Sequence, residues 1–300
     1  MRVVAIGEAM VELRRAEAAG RLAMGFAGDT LNTAWYLARL RPDWRVDFAT
    51  AVGTDALSDE MVGFVAAAGI GTEAVRRHPA RTVGLYMIAL DGAERRFSYW
   101  RGESAARTLA EDAGWLDAAL AGADCLYLSG ITLAVVGREG RATLEDAVGG
   151  ARARGARIAF DPNLRPALWP DAAEMRGAVT RIAALSDVTL PSHEDEAAAF
   201  GDTDPAATAA RYRDAGSGLV VVKDGGGPVH WSGPDEMGLH PVTPPARVVD
   251  TTAAGDSFNA GFLAEHLTGA ANEAAVAAGC RLASAVIGGG GALVEEALAP

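Results

Sequence analysis

Asp250-Thr-Thr-Ala-Ala-Gly-Asp-Ser-Phe-Asn-Ala-Gly261 is the stretch on which the reading of this 300-residue chain turns. A turn of small residues, Ala253-Ala254-Gly255, leads into Asp256 and then into an apolar run, residues 258–267, of helical length. Small side chains let consecutive backbone N–H groups point into one space, and the following helix adds the positive end of its dipole. Ala253, Ala254 and Gly255 therefore make a candidate hole for an anion. Asp256, on the first helical turn, is placed to take a proton from a hydroxyl attacking a phosphoryl group held there. The plainer alternative is that Asp256 only caps its helix, because Asp-Ser is a common helix start.

Outward from this motif, short apolar runs alternate with amphipathic, Ala-rich stretches. Residues 3–6, 48–52, 125–128, 157–160, 187–190 and 219–223 read as buried strands. Helices are expected over 30–40, 59–68 (closed by Gly69), 137–154, 172–184, 194–200, 205–215 and 273–287. Fully apolar strands alternating with helices predict a doubly wound, mostly parallel sheet covered on both faces. Residues 82–90 and 94–101, joined at Asp91-Gly92, read instead as two strands with a turn. The segment 11–26 is too short and polar for a helix of the main body. These pieces, about 11–26 and 82–102, are expected to form a small β lid over the carboxyl edge of the sheet. No Pro-, Gly- or Ser-rich linker divides the chain and no internal repeat is found, so residues 1–300 read as one α/β domain with a lid.

Composition narrows the function. Half the residues are apolar, enough to bury a sizeable core, and the formal net charge is −12. That balance and the absence of a dense arginine patch exclude a nucleic-acid binder. An anionic substrate would need arginines placed locally, against the overall field. Cys125 and Cys280 lie in apolar stretches and read as core residues. The five histidines show no metal-ligand spacing. The first residues lack the apolar segment and cleavage site of a signal peptide, and no window approaches the roughly 20 apolar residues of a membrane span. A cytoplasmic enzyme is expected, with no nucleic-acid or membrane partner.

The segment 250–261 resembles the C-terminal signature of the ribokinase-like (PfkB) carbohydrate kinases. Gly25-Phe-Ala-Gly-Asp-Thr-Leu-Asn-Thr-Ala34 is similar to the N-terminal signature of that family. The resemblance covers essentially the whole chain. Within the family, Gly28-Asp-Thr-Leu-Asn-Thr-Ala34, Tyr99-Trp-Arg101, Ser104-Ala-Ala-Arg107, Tyr127-Leu-Ser-Gly-Ile131 and Asp161-Pro-Asn-Leu-Arg-Pro-Ala-Leu-Trp169 together resemble 2-keto-3-deoxygluconate kinases. Ala253 stands where most members carry Gly, and the extra methyl is expected to be tolerated only if φ stays negative there.

The resemblance implies ATP-dependent phosphorylation with Mg2+, and leaves open at this level whether K+ assists near Asp250 and Thr252. It implies that Gly28 and Asn32 touch the sugar, Gly by close backbone approach and Asn through its donor and acceptor. Tyr86 and Tyr99 fall in the lid strands, where each can offer a hydroxyl to the ligand while its ring closes the pocket. Plain lid packing explains Tyr86 as well. Arg101 is the candidate for the substrate carboxylate, because a guanidinium binds a carboxylate bidentately. A surface arginine beside Glu103 is the rival reading. Arg165 follows the strand ending near Asp161, where ligands of parallel sheets gather, and serves either that carboxylate or the γ-phosphate. Asn163 is placed beside the ATP phosphates, or is a turn residue after Pro162.

Ser192-His-Glu-Asp195 occupies the place of the family's Asn-x-x-Glu segment, with both ends changed. It implies a role for Ser192 beside the nucleotide and for Asp195 toward magnesium through water. A helix N-cap with acids in its first turn explains it almost as well. Lys223-Asp-Gly-Gly-Gly227 resembles the family's nucleotide loop, with Lys223, Gly225, Gly226 and Gly227 beside ATP. Glu8 and Glu12 either orient ligand-binding groups or are solvated lid acids. Gly288–Gly291 either flanks adenine or is a terminal turn.

Three rivals define the tests. A fructokinase-like or other neutral-sugar kinase would leave Arg101 without a carboxylate. A nicotinamide-dependent dehydrogenase needs a Gly-x-Gly-x-x-Gly turn after the first strand, where this chain has Gly7-Glu-Ala-Met-Val-Glu12. A catalytically silent sugar-acid sensor would have no use for Asp256. The lid is expected to pair two copies into a dimer or a higher homo-oligomer, because exposed strand edges pair readily. Gluconate and galactonate epimers stay unresolved at this level.

Overall fold

The computed structural model describes residues 1–15, 20–91, 94–243, 245 and 247–298. In chain order the strands are β1 (Arg2–Ile6), β2 (Met10–Arg15), β3 (Leu22–Ala27), β4 (Arg45–Val52), β5 (Val75–Arg77), β6 (Gly84–Asp91), β7 (Glu94–Trp100), β8 (Cys125–Ser129), β9 (Arg157–Asp161), β10 (Val188–Thr189), β11 (Leu219–Val222), β12 (Val229–Ser232) and β13 (Met237–His240). The helices are α1 (Asp29–Leu40), α2 (Ala56–Ala67), α3 (Ala113–Leu120), α4 (Gly130–Val135), α5 (Gly137–Ala153), α6 (Ala172–Leu185), α7 (His193–Phe200), α8 (Pro205–Asp214), α9 (Ala254–His266) and α10 (Asn272–Val286).

Nine strands form the main sheet in the order β13-β12-β11-β10-β9-β8-β1-β4-β5. From β11 to β5 every pair is parallel, and only β12 and β13 run antiparallel. β1 explains why. Its side chains alternate between two cores, Val3 and Ala5 in one and Val4 and Ile6 in the other, each at most 1% exposed. A strand buried on both faces must be apolar throughout, which is the pattern the sequence carries. On one face α1, α9 and α10 supply Leu31, Phe258, Phe262 and Val276. On the other, Leu144 and Val148 of α5 and Val179 and Ile182 of α6 close the second core.

A second, four-stranded sheet has the order β3-β2-β6-β7. It is made from the two segments expected to leave the alternating pattern, although Gly92 of the expected Asp91-Gly92 turn lies outside the described residues. β5, α3, α4 and the β12–β13 hairpin were not read from the sequence. β5 is three residues long, and β13 (Met-Gly-Leu-His) is an exposed edge strand interrupted by Gly238. Neither carries enough periodicity to register.

Candidate active site

The carboxyl ends of β1, β8, β9 and β11 deliver Glu8, Ser129, Asp161 and Lys223 to one edge of the sheet, and α1 and α9 both begin there. Gly28 precedes α1 with extended backbone, and a Cβ on it would stand 2.2 Å from the Glu8 carbonyl oxygen. Only glycine fits against that strand end.

α9 starts on Ala253, whose φ of 60° lies in the left-handed region. This overturns the expectation of a negative φ at this position. The methyl is accommodated at a conformational cost of about 1 kcal/mol, as is usual for a non-glycine residue held there. The Ser257 amide and hydroxyl both donate to the Ala253 carbonyl, at 2.9 and 2.8 Å, and so fix the turn. Ala253→Gly is expected to raise Tm by roughly 1–3 °C, measured by calorimetry. An unchanged or lower Tm would show that the turn is not strained.

The two ends of the chain meet at Asp256. Asn32 Nδ2 donates to Asp256 Oδ2 at 2.8 Å across 224 residues of sequence, and Thr33 Oγ1 lies 3.1 Å from the Asp256 carbonyl. Asn32 is thus the immediate neighbour of the candidate base. Burial pushes the Asp256 carboxyl up to about 8 from its usual value near 3.8, and the negative charges of Asp29 and Asp161 add to the rise. The hydrogen bond from Asn32 and the charge of Lys223 oppose it.

Beside this pair the small sheet brings a second group. The Arg101 guanidinium forms an ion pair with Glu8, whose side chain is fully buried, and it lies 6.0 Å from the centre of the Tyr99 ring. Tyr86 donates its hydroxyl to Glu12, and Tyr86 and Tyr99 face each other across β6 and β7 with rings 5.9 Å apart. Glu8 and Glu12 therefore hold Arg101 and Tyr86 in place, and both are buried, so they are not solvated lid acids. Tyr86 is buried and Tyr99 is half exposed. Burial together with the Glu12 charge raises the Tyr86 phenol far above its usual range. The Tyr86 hydroxyl is engaged with Glu12, so toward a ligand its oxygen can only accept.

The remaining candidates divide between floor and rim. Asn163 holds a positive φ of 35° and donates through Nδ2 to Asp29 Oδ2 at 2.8 Å. Arg165 Nη1 lies 3.2 Å from Asp195 Oδ2, and both side chains are partly exposed at the rim. Ser192 starts α7 without a side-chain cap hydrogen bond, and its first turn carries Glu194, Asp195 and Glu196. Gly225 and Gly226 form the exposed turn between β11 and β12, with Gly227 beside them. Lys223 departs from that loop: its side chain turns inward, with Nζ 3.0 Å from Asp161 Oδ2 and 3.1 Å from Asn259 Oδ1. Asp161, Asn259 and Tyr127, which hold it and each other, escaped the sequence reading. The available signal was that Lys223 is the only lysine in the sequence.

Two clefts lie near the glycine cluster that follows α10. One of about 200 Å3 lies between the small sheet and the entry to the Ala253 turn, lined by Glu12, Arg14, Ile88, Asp250, Thr252 and Gly291. Another of about 750 Å3 runs beside α10, where Thr243, Arg247, Cys280, Arg281, Ser284 and Gly288 line it. The glycine cluster after α10 ties the two together, because Gly291 N donates to Asp250 Oδ2 at 2.8 Å.

Residues 1–296 match the family model of the pfkB family carbohydrate kinases. The chain belongs to this family. Its alternating sheet is therefore that of a sugar kinase, not of a nicotinamide-dependent dehydrogenase. The 2-dehydro-3-deoxygluconokinase of Dickeya dadantii (strain 3937) is 39% identical over 300 residues, covering 97% of this chain and 96% of the relative. The crystal structure of a PfkB protein from Polaromonas sp. JS666 superimposes with a TM-score of 0.81 at 29% identity, over 94% of each chain. A putative ribokinase II from E. coli, solved in complex with ATP and Mg2+, gives a TM-score of 0.84 at 22% identity over 97% of this chain and 94% of its own. These neighbours share the ribokinase-like architecture of a large, mostly parallel sheet flanked by helices with a second small sheet.

Proposed function

We propose that this kinase transfers the γ-phosphoryl group of ATP to the C6 hydroxyl of 2-keto-3-deoxygluconate (2-dehydro-3-deoxygluconate), giving 2-keto-3-deoxy-6-phosphogluconate and ADP. The observation that carries the reading is the meeting of Asn32 and Asp256 at the start of α9, in a chain 39% identical to a 2-dehydro-3-deoxygluconokinase. The sugar acid lies between the start of α1 and the small sheet, which acts as a lid. Gly28 and Asn32 meet its hydroxyls, Tyr86 and Tyr99 flank it, and Arg101 takes its carboxylate. A guanidinium pinned by Glu8 presents its remaining N–H groups in a fixed orientation, which suits a planar carboxylate.

Asp256 removes the proton from the C6 hydroxyl as that oxygen forms its bond to the γ-phosphorus, and the bond to the β-phosphate oxygen breaks. The N–H groups of Ala253, Ala254, Gly255 and Asp256, with the α9 dipole, hold the charge spread over the transferring oxygens. ATP enters along the cleft beside α10, where the loop of Gly225, Gly226 and Gly227, together with Asn163, Arg165 and Ser192, reaches its phosphates. A partly exposed carboxylate at Asp195 fits Mg2+, which keeps several waters and binds through few protein oxygens. Mg2+ neutralises phosphate charge when bound, and the E. coli neighbour carries ATP and Mg2+ together. K+ is assigned by the same reading to the neighbourhood of Asp250 and Thr252.

The raised Asp256 carboxyl sets the pH dependence. Its base form is populated only above its folded-state pKa of about 8, so kcat/KM is expected to climb as pH rises from 6 and to level off above 8. A profile already flat at pH 6 would contradict the assignment. Phosphorus NMR of the product tests the position of transfer: a C6 phosphate monoester is expected, and a phosphate elsewhere on the sugar would reject the chemistry.

Leu22, Met24, Phe97, Tyr99 and Trp100 leave apolar surface exposed on the small sheet. We place the contact of a homodimer there. Among the described residues no helix is long and apolar enough to cross a membrane, and a cytoplasmic location accords with the metabolic substrate. A catalytically silent sensor is separated from this reading by ATP turnover.

A further inference from the structure

A buried polar cluster lies beneath the start of α9 and takes no part in the transfer described above. Lys223 Nζ sits 3.0 Å from Asp161 Oδ2 and 3.1 Å from Asn259 Oδ1. Asn259 donates through Nδ2 to the same Asp161 oxygen at 2.6 Å and to Tyr127 Oη at 3.0 Å. Thr33 Oγ1 lies 3.1 Å from Tyr127 Oη and 3.1 Å from the Asp256 carbonyl, so the cluster is continuous with the backbone of the candidate base. Lys223, Asp161, Tyr127 and Asn259 are each at most 9% exposed. Asp161 also accepts from Asn163 N at 3.0 Å, which gives both of its oxygens partners.

We propose that Lys223, clamped by Asp161 and Asn259, is a positioning residue that fixes the charge environment in which Asp256 works as a base. The inference rests on Asp256 being that base. Two features of the ammonium support it. Two of its three N–H groups are committed to Asp161 and Asn259, and the atom nearest to the place a Gly255 side chain would occupy is Nζ, at 3.5 Å. Glycine at 255 therefore leaves the lysine charge next to the turn that carries the anion hole. An arginine fork could not fold into the same space with the same two partners.

The charge count gives the lysine its task. Asp29 from α1 and Asp161 from the end of β9 face Asp256 with negative charge, and Lys223 after β11 faces it with positive charge. The phenols of Tyr36 on α1, Tyr86 on β6 and Tyr127 on β8 complete the titratable surroundings. Beyond the cluster, Asp195 on α7 also feels Lys223 and Asp161, and is paired with Arg165. Without the ammonium, three aspartates would crowd one site, and Asp256 would hold its proton to higher pH. With it, Asp161 is neutralised as a pair and Asp256 ionises in a working range. The lysine also keeps net negative charge from opposing the arrival of ATP phosphates.

The test is a set of kcat/KM–pH profiles at saturating Mg-ATP for wild type, Lys223→Met, Asp161→Asn and the double variant. An opposite charge within a few ångströms shifts a carboxyl by on the order of one pH unit or more. Lys223→Met is expected to move the acid limb upward by about that amount, and Asp161→Asn to move it downward. The double variant is expected to return it close to wild type. A merely structural role would lower activity in all three without opposed displacements, and that result would overturn the proposal. If Lys223→Met fails to fold because it strands the Asp161 charge, the Asp161→Asn and double variants decide alone. A limb that stays put or rises in Asp161→Asn would reject the idea. Loss of turnover in Asp256→Asn with unmoved limbs in this series would leave the base assignment intact and reject only the role of Lys223.

Discussion

Asp256→Asn is expected to lower kcat by roughly 10²–10⁴-fold, the usual contribution of a positioned general base. The amide keeps the shape of the carboxylate and can still accept from Asn32 Nδ2, now 2.8 Å from Asp256 Oδ2. The loss would therefore report chemistry and not collapse of the site. Stability supplies the control. Because burial and the charges of Asp29 and Asp161 raise the Asp256 carboxyl to about 8, the folded state prefers the proton more strongly than the unfolded chain does. The stability attached to that proton is complete below the unfolded value near 4 and is lost as pH rises through about 8. A neutral amide has no such loss, so the variant is expected to match or exceed the wild-type Tm at pH 9. Turnover within a few-fold of wild type in this variant would remove Asp256 from the role of base.

Arg101→Ala is expected to raise KM for the sugar acid with little change in kcat, because a remote carboxylate is held alike in ground and transition states. A hydrogen-bonded charge contact contributes about 1.5–3 kcal/mol, which corresponds to roughly 10- to 150-fold in affinity. The partner left behind matters as much as the contact removed. Glu8 is fully buried, its carboxyl is already raised by burial against the opposing charge of Arg101, and without the arginine it would take up a proton. The fold is thus expected to survive while acid recognition is lost. Arg101→Lys should fall between, since an ammonium keeps the charge but not the planar fork. The KM for ATP should not move in either variant. A KM for the sugar acid equal to wild type in Arg101→Ala would refute the carboxylate role.

How far the sequence reached depends on the range of the interaction concerned. Runs such as Val-Val-Ala-Ile before Gly7 and Leu-Val-Val-Val before Lys223 are local, and each became a central strand because double-sided burial demands apolar residues at every position. The starts of α1 and α9 were equally legible, since Gly28 and the Ala253 turn are written in consecutive residues. Local spacing failed in two ways. Ala253 carries a methyl that argues for negative φ, yet the helix entry imposes 60°, so the demand of the site outweighs intrinsic preference. Lys223 was read with the nucleotide loop that follows β11, and no local pattern showed that its side chain turns inward to partners 62 and 36 positions away. No periodicity encodes such a contact. Arg101 and Asn32 were found as candidates by resemblance, but the pairing of Arg101 with Glu8 and of Asn32 with Asp256 emerges only when β1, α1, β7 and α9 converge.

The acidity of the chain gives these arginines and the lysine their weight. At a net charge of −12, an anionic sugar and a nucleotide approach against the mean field. The site answers with cations fixed by buried carboxylates: Arg101 by Glu8, Lys223 by Asp161. Each pairing costs attraction at long range and supplies orientation at short range, which is the better exchange for an enzyme that must place one hydroxyl in line with one phosphorus.

The most direct test is coupled ADP release with Mg-ATP across fructose, ribose, gluconate, 2-keto-3-deoxygluconate and 2-keto-3-deoxygalactonate. Strong preference for the keto-deoxy acids is expected, with fructose and ribose turned over far more slowly. Preference for fructose or ribose would keep the fold and Asp256 but contradict acid recognition by Arg101, and silence on every sugar would contradict the kinase itself.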